Sequence, residues 1–330
     1  MSTRPRILVT RKIPENGIKL LKTCFVVEIN GRDRDLSRKE LLQQLNGAFG
    51  VMAMMANKFD GDLLSKLDSL RVISNFAVGY DNVDVGAATG RGIVVTNTPG
   101  VLTDATADLA FGLLLTAARR IAEGDRLVRE GKFTGWTPMT MLGNDVSGKT
   151  LGVIGAGRIG AAVAKRAEGF RMKILYFSRR KNDEIEKLGG VFLELHELLK
   201  ESDFVSLSVP LNKETEGLIG KREIGVMKRN AILINTSRGE VVDEETLVTA
   251  LKERRIAGAG LDVYKNEPRV NHRLVKLENV VLSPHLGSAT FNTRAKMAEM
   301  AALNAISVFR NERPPAIVNP EALGVSFRPV

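Results

Sequence analysis

The chain has a single cysteine, Cys24, in 330 residues. One thiol excludes an intrachain disulfide framework and any metal centre built on thiolates, so no metal is expected. It also fits a reducing compartment, the cytoplasm. Cys24 sits beside an apolar run and reads as packing rather than as a nucleophile. Histidine is scarce, with 3 residues, and aromatics make up only 5%. There is no zinc-finger spacing and no aromatic-rich basic motif, so the net charge of +10 does not point to nucleic acid. The positive charges are scattered, often beside acids, as in RKNDEIEK. They read as solvated faces that also raise the local concentration of anionic ligands. No apolar run is long enough to span a bilayer, so no membrane partner is expected. The amino end passes directly into a strand pattern, and no signal peptide is expected.

What the chain does have is alternation. Its length suggests two domains, and 44% hydrophobic residues suffice for ordinary cores. Short apolar, partly β-branched runs recur at Arg6 to Thr10, Cys24 to Ile29, Phe49 to Met54, Val72 to Asn75 and Ile93 to Thr96. Helical patterns lie between them, such as Asn16 to Leu21, Ser37 to Leu45 and Asp62 to Leu67. Ser37 with Glu40 forms a capping box. Such alternation predicts a parallel sheet with helices on both faces. Leu102 to Ile121 reads as one long helix capped by Thr103 or Asp104. Its apolar residues cover more than one face, so burial on several sides is expected. Trp136 lies in a loop and serves either core packing or contact with a ligand or partner.

The second half opens on TLGVIGAGRIGAAVAKRAEGFRMKILYFSRR, Thr150 to Arg180. An apolar strand, Leu151 to Ile154, leads into Gly155, Gly157 and Gly160. A helical pattern from Ala161 to Phe170 and a second strand, Met172 to Phe177, follow. In such a unit the first glycine makes a tight turn, the second admits a pyrophosphate, and the third lets helix pack close to strand. The helix N-terminus then offers free N–H groups and a positive dipole end. At the end of the second strand an acid would bind the ribose 2′-OH of NAD. Ser178, Arg179 and Arg180 stand there instead. A hydroxyl and two guanidiniums suit a 2′-phosphate, so NADP(H) is the preferred cofactor and NAD(H) the secondary one.

Four further strand patterns follow: Phe204 to Val209, Ala231 to Asn235, Gly258 to Val263 and Val280 to Ser283. Asp243 caps the helix after the second of these. A last helical pattern runs from Thr290 to Phe309 and precedes a Pro-containing tail. Three of these strands lead into Arg238, Glu267 and His285. In a parallel sheet all carboxyl ends face one edge, the ligand edge. Hydride transfer to a ketone needs a proton for the oxygen and a grip on the substrate. His285 is the acid, Glu267 holds its other ring nitrogen, and Arg238 grips an α-keto carboxylate. His196 and His272 have no such placement and receive no role. The loop AVGYDNVDV, Ala77 to Val85, either holds an anion on backbone N–H groups freed by Gly79 or is a turn built by Asp81 and Asn82.

These motifs carry a resemblance. GAGRIG at Gly155 to Gly160, INTSRGEVVDEETL at Ile234 to Leu247, AGAGLDVYKNEP at Ala257 to Pro268 and NVVLSPHLGSAT at Asn279 to Thr290 resemble the D-isomer-specific 2-hydroxyacid dehydrogenases over nearly the whole chain. NFAVGYDNVDV, TDATADLAFGLLLTAARR and the Ser-Arg-Arg are most similar to the glyoxylate/hydroxypyruvate reductases of that family. The resemblance implies an α/β fold of two Rossmann- or flavodoxin-like parallel-sheet domains with the active site in the cleft between them. Residues 1–101, completed by 288–330, would form the substrate domain, and 102–287 the dinucleotide-binding domain. By the same resemblance Arg238 binds substrate, and Glu267 and His285 form the acid–base pair. Val78 and Gly79 hold the substrate carboxylate, with Met54, Met55 and Trp136 shaping the pocket. Thr106, Val209, Pro210, Thr215, Thr236, Ser237, Arg238, Asp262, His285, Gly287 and Ser288 join the glycine-turn residues Ala156, Arg158 and Ile159 at the cofactor. Members are usually homodimers. The expected activity is NADPH-dependent reduction of glyoxylate or hydroxypyruvate. A bulkier keto acid such as 2-ketogluconate, or a cofactor-sensing adaptor of the same fold, are the alternatives.

Overall fold

A computed structural model describes residues 4–32 and 34–326. Residues 1–3 of the amino-terminal run and 327–330 of the Pro-containing tail, both inside the domain bounds read from sequence, lie outside the described residues. The chain forms two compact units, Met1–Leu102 with Ala289–Val330, and Thr103–Ser288.

In chain order the first unit runs β1 Arg6–Val9, α1 Glu15–Leu21, β2 Val26–Ile29, α2 Arg38–Leu45, β3 Gly50–Ala53, α3 Gly61–Leu64, β4 Val72–Asn75, α4 Val85–Gly90 and β5 Val94–Thr96. The second runs α5 Thr103–Ala118, α6 Ile121–Arg129, β6 Thr150–Ile154, α7 Arg158–Glu168, β7 Lys173–Phe177, α8 Asp183–Lys187, β8 Val191–Phe192, α9 Leu195–Glu201, β9 Phe204–Leu207, α10 Lys221–Val226, β10 Ile232–Asn235, α11 Glu244–Lys252, β11 Gly258–Leu261, α12 His272–Val275 and β12 Val280–Leu282. The chain then returns to the first unit with α13 Phe291–Phe309 and a short α14 Leu323–Ser326.

The first unit holds a five-stranded sheet, order β2-β1-β3-β4-β5. The second holds seven strands, order β12-β11-β10-β9-β6-β7-β8. All pairings in both are parallel. Strands β3, β4, β6, β9, β10 and β11 are buried almost throughout, as continuous apolar strands in a doubly covered sheet must be. Strand order reverses between β1 and β3 in one sheet and between β6 and β9 in the other. Those are the places where such sheets bind ligands, beyond the carboxyl ends of the strands.

Helix α13 packs on α1 and on β3, β4 and β5. Ser74 Oγ donates to the Ala301 carbonyl at 2.8 Å, and Phe309 lies 5.3 Å, centroid to centroid, from Phe25. A Cβ on Gly17 would stand 2.8 Å from Ala298 Cβ, so the α1–α13 crossing uses the missing side chain.

The capping box on α2 is present, with Ser37 and Glu40 in the expected roles. Three readings need correction. The long helix stops at Ala118 and resumes as α6, because Arg120 adopts φ 54°. The Asn144 N–H takes the Ala118 carbonyl at 2.8 Å, and Arg120 binds the Glu123 carboxylate, which holds the break. Thr103 and Asp104 fall inside the first turn of α5 rather than at its cap. Helix α3 begins at Gly61 because Asp60 accepts from Leu63 N at 2.9 Å, and it ends at Leu64 in three-residue turns instead of reaching Leu67. Helix α5 is buried within its own unit, against α7, β10 and β11, which accounts for its apolar breadth. Among the described residues no helix is long and apolar enough to cross a membrane, and no group of His, Cys, Asp and Glu is arranged to hold a metal.

Candidate functional site

The glycine turn follows β6 at the strand-order reversal. Gly155 sits at φ +100°, and a Cβ there would come within 2.6 Å of the Ser208 backbone at the end of β9. On Gly160 a Cβ would meet the Gly155 carbonyl at 1.9 Å, so only glycine lets α7 start this close to the strand. Gly157 differs: a Cβ there meets no protein atom within 4 Å. Gly157 and Arg158 are exposed, Ala156 and Ile159 half-buried, and no side chain caps α7. Its first-turn N–H groups therefore have no side-chain acceptor, and the space in front of them is open.

After β7, Ser178 is half-buried and donates its hydroxyl to the Arg180 carbonyl, while Arg179 and Arg180 are exposed. Asn182 ties this loop to the glycine turn. Its amide donates to the Ala156 carbonyl at 2.7 Å while its oxygen caps α8. Sequence reasoning missed Asn182; its signal was the N-cap position ahead of DEIEK.

The other strand ends of this sheet carry the remaining candidates. After β9, Val209 stands against Gly155, and Thr215 closes the loop by donating to the Pro210 carbonyl at 2.6 Å. After β10, Ser237 is held by Asn235 Oδ1, and Asn235 Nδ2 donates to the Arg238 carbonyl at 2.8 Å. The Arg238 guanidinium donates to the Ser237 carbonyl at 2.7 Å. A Cβ on the next residue, Gly239, would lie 2.0 Å from the Tyr264 backbone, so this turn is pressed against the segment that leads to Glu267. The hydroxyls of Ser208 and Thr236 are buried and have no hydrogen-bond partner among the described residues. Orphaned hydroxyls at two strand ends, an uncapped helix N-terminus and an open glycine turn fit a bound dinucleotide.

Glu267 and His285 meet directly, Oε2 to Nδ1, at 2.8 Å. The Tyr264 N–H donates to the other carboxylate oxygen at 3.0 Å. Burial works to raise the Glu267 carboxyl. The hydrogen bond and charge of His285, the Tyr264 amide and the charge of Arg238 outweigh it and hold the group below its ordinary value. The loop carrying His285 is fixed by Asp262, which is fully buried. His285 N donates to the Asp262 carbonyl at 2.9 Å, and the Leu286 and Gly287 amides donate to its carboxylate at 2.7 and 2.8 Å. Thr106 Oγ1 donates to the Gly287 carbonyl at 3.1 Å, and Ser288 ends the loop half-buried. His285 itself takes φ 55°, a left-handed conformation uncommon for a side-chain-bearing residue. Burial raises the Asp262 carboxyl, against its hydrogen bonds from Ser283, Leu286 and Gly287. Burial, with the charges of Asp262 and Glu267, pushes the Tyr264 hydroxyl up to about 12.

A pH test follows from Glu267. Its native value lies below its unfolded value, so the stability it contributes is present above the ordinary carboxylate range, about 4.3, and is lost as pH falls through the lowered value. The stability gap between wild type and Glu267→Gln, read from urea midpoints, should therefore shrink below about pH 4. A gap of constant size from neutral to strongly acid pH would show that the carboxylate is not held this way.

In the first unit, Met54 and Met55 follow β3, and Val78 and Gly79 follow β4, at the carboxyl edge of that sheet. Asn75 Nδ2 donates to the Gly79 carbonyl at 2.7 Å. Trp136 is 82% exposed, which excludes core packing. His196 is half-buried and pairs with Glu223 at 3.1 Å.

Residues 111–287 match the family model for the D-isomer specific 2-hydroxyacid dehydrogenase NAD binding domain. A glyoxylate reductase of Pyrococcus horikoshii is 51% identical over 327 residues, which cover 98% of each protein. The crystal structure of the TT0316 protein from Thermus thermophilus superposes with a TM-score of 0.89 at 45% identity, covering 95% of this chain and 99% of that one. An NADPH-dependent glyoxylate/hydroxypyruvate reductase from Sinorhizobium meliloti, solved with NADP and malonate, gives a TM-score of 0.87 at 36% identity, covering 97% and 98%.

Proposed function

The chain belongs to the D-isomer-specific 2-hydroxyacid dehydrogenase family, and from that premise we propose that it is an NADPH-preferring reductase of small 2-keto acids, glyoxylate and hydroxypyruvate first. The observation that carries the reading is the Glu267–His285 pair, built on the same sheet edge as the glycine turn. A bound nicotinamide cofactor supplies the hydride. His285 gives the proton to the carbonyl oxygen, and Glu267 holds the opposite ring nitrogen so that this proton is presented outward. Arg238 grips the carboxylate and polarises the ketone. Val78 and Gly79 are the residues whose amides would hold a substrate carboxylate, and Met54, Met55 and Trp136 those that would bound the substrate. The amides at the start of α7 would hold the pyrophosphate, and residues 103–288 would serve as the dinucleotide-binding domain.

Reduced-cofactor consumption across a panel of 2-keto acids tests this, with 2-ketogluconate included for a wider pocket. No turnover with any of them, together with retained NADPH binding, would leave the adaptor alternative in possession. Cofactor choice has its own test. Ser178→Asp combined with Arg179→Gln and Arg180→Gln should shift the NADPH-to-NADH ratio of kcat/KM by about tenfold or more. An unchanged ratio would assign the 2′-phosphate to other residues.

The scarcity of cysteine supports a cytoplasmic setting. A homodimer is supported by α6 and the loop after it. The helix buries none of its residues, and Ile121, Val128, Phe133, Met139 and Leu142 are exposed alongside Trp136.

A further inference from the structure

Asn75, Asn82 and Asn97 form a side-chain lattice behind the loop from Val78 to Tyr80. Asn75, the last residue of β4, is fully buried, and Asn82 is nearly so. Their side-chain amides pair reciprocally, each Nδ2 donating to the other Oδ1 at 3.2 Å. Asn75 Nδ2 also reaches the Gly79 carbonyl at 2.7 Å. Asn82 Nδ2 reaches the Asn57 carbonyl at 3.0 Å and the Met54 carbonyl at 3.4 Å. Asn97 Nδ2 takes the Val78 carbonyl at 2.8 Å, and its own carbonyl is held by Asn304 of α13 at 2.9 Å.

The carbonyls of Val78 and Gly79 are thus turned inward. A trans peptide is planar, with its C=O and N–H opposed. Fixing the Val78 carbonyl on Asn97 aims the Gly79 N–H the other way, and fixing the Gly79 carbonyl on Asn75 does the same for the Tyr80 N–H. Among the described residues neither N–H donates to a protein acceptor. Two successive outward amides make a concave anion site. We infer that Asn75, Asn82 and Asn97 are positioning residues, which aim these amides at a carboxylate on the substrate. This rests on the reading of the loop given above, and it adds Tyr80 N–H to the groups that bind.

Residue type matters here. A side-chain amide donates to the loop carbonyls and accepts from its partner amide while remaining neutral. Aspartate would lose the donors and place a negative charge behind an anion site. Serine or alanine would leave loop carbonyls buried and unpaired, and the peptide planes would be free to turn.

The test uses the full chain with Asn97→Ala, at a half-buried position, and Asn75→Ser as the second variant in case one misfolds. Calorimetry with oxamate, a non-reducible 2-keto acid mimic, should show affinity reduced about tenfold in each variant, with NADPH affinity unchanged. In turnover, KM for glyoxylate should rise by about as much, while kcat/KM for methylglyoxal, which has no carboxylate, stays within about twofold of wild type. Loss of both substrates in parallel, or unaltered oxamate affinity, would overturn the assignment. A wild-type protein that binds oxamate but reduces no keto acid would fail the reductase reading and leave the positioning result standing.

Discussion

His285→Ala is expected to lower kcat by roughly 10²–10⁴-fold, the usual loss for a positioned general acid, with little change in cofactor affinity. Geometry separates the two quantities. Glu267 orients the imidazole through Nδ1 at 2.8 Å, and the His285 backbone N–H donates to the Asp262 carbonyl at 2.9 Å, which fixes the loop that carries the ring. The remaining nitrogen, Nε2, is the one available to a carbonyl oxygen. Removing the ring leaves the glycine turn, the α7 amides and the Ser178 loop as they are. Stopped-flow reduction with NADPH in excess should show a slowed hydride step, and fluorescence titration an NADPH dissociation constant within about threefold of wild type. Near-normal turnover in this variant would mean that another group delivers the proton.

Arg238→Ala should damage KM and kcat together, because in the proposed reaction one guanidinium would both hold the carboxylate and polarise the ketone. Truncating one partner of a hydrogen-bonded charge pair costs about 2–5 kcal/mol, which corresponds to a fall in kcat/KM of roughly 30- to 5,000-fold. Arg238→Lys should recover only part of this, since an ammonium keeps the charge but loses the planar fork. The turn itself argues for precision. Asn235 fixes the Arg238 carbonyl, and Gly239 lets the turn lie flat on the Tyr264 segment. A lysine variant equal to wild type would reduce the role of Arg238 to charge alone.

Much of this was legible in the chain before any coordinates. Strand β4 falls on the residues read as a strand, Val72–Asn75, because a parallel central strand is a short apolar run bounded by polar residues. Ser37 and Glu40 signalled their own cap. The glycine spacing carried its meaning because Gly155 and Gly160 answer separate steric demands, while Gly157 leaves open space in front of α7. What stayed hidden was whatever depends on partners distant in sequence. Nothing at Arg120 marks a break, since no glycine or proline stands there; the left-handed turn is held by Asn144 and Glu123. Asn82 reads, with Asp81, as local turn chemistry, and Asn75 as the end of a strand. Their partners, Asn57, Asn97 and Asn304, come from three other segments that only the sheet and α13 bring near. Periodicity reports one element at a time and is silent on such assemblies.

Helix α13 also bears on the order of events during synthesis. Residues 103–288 are continuous, and all seven of their strands are translated before α13. The amino-terminal sheet is translated first, yet β3, β4 and β5 lack their contacts with α13 until its residues arrive. The last long helix to be translated is therefore what covers β3 to β5, and the middle of the protein can be finished while its first unit still waits for it.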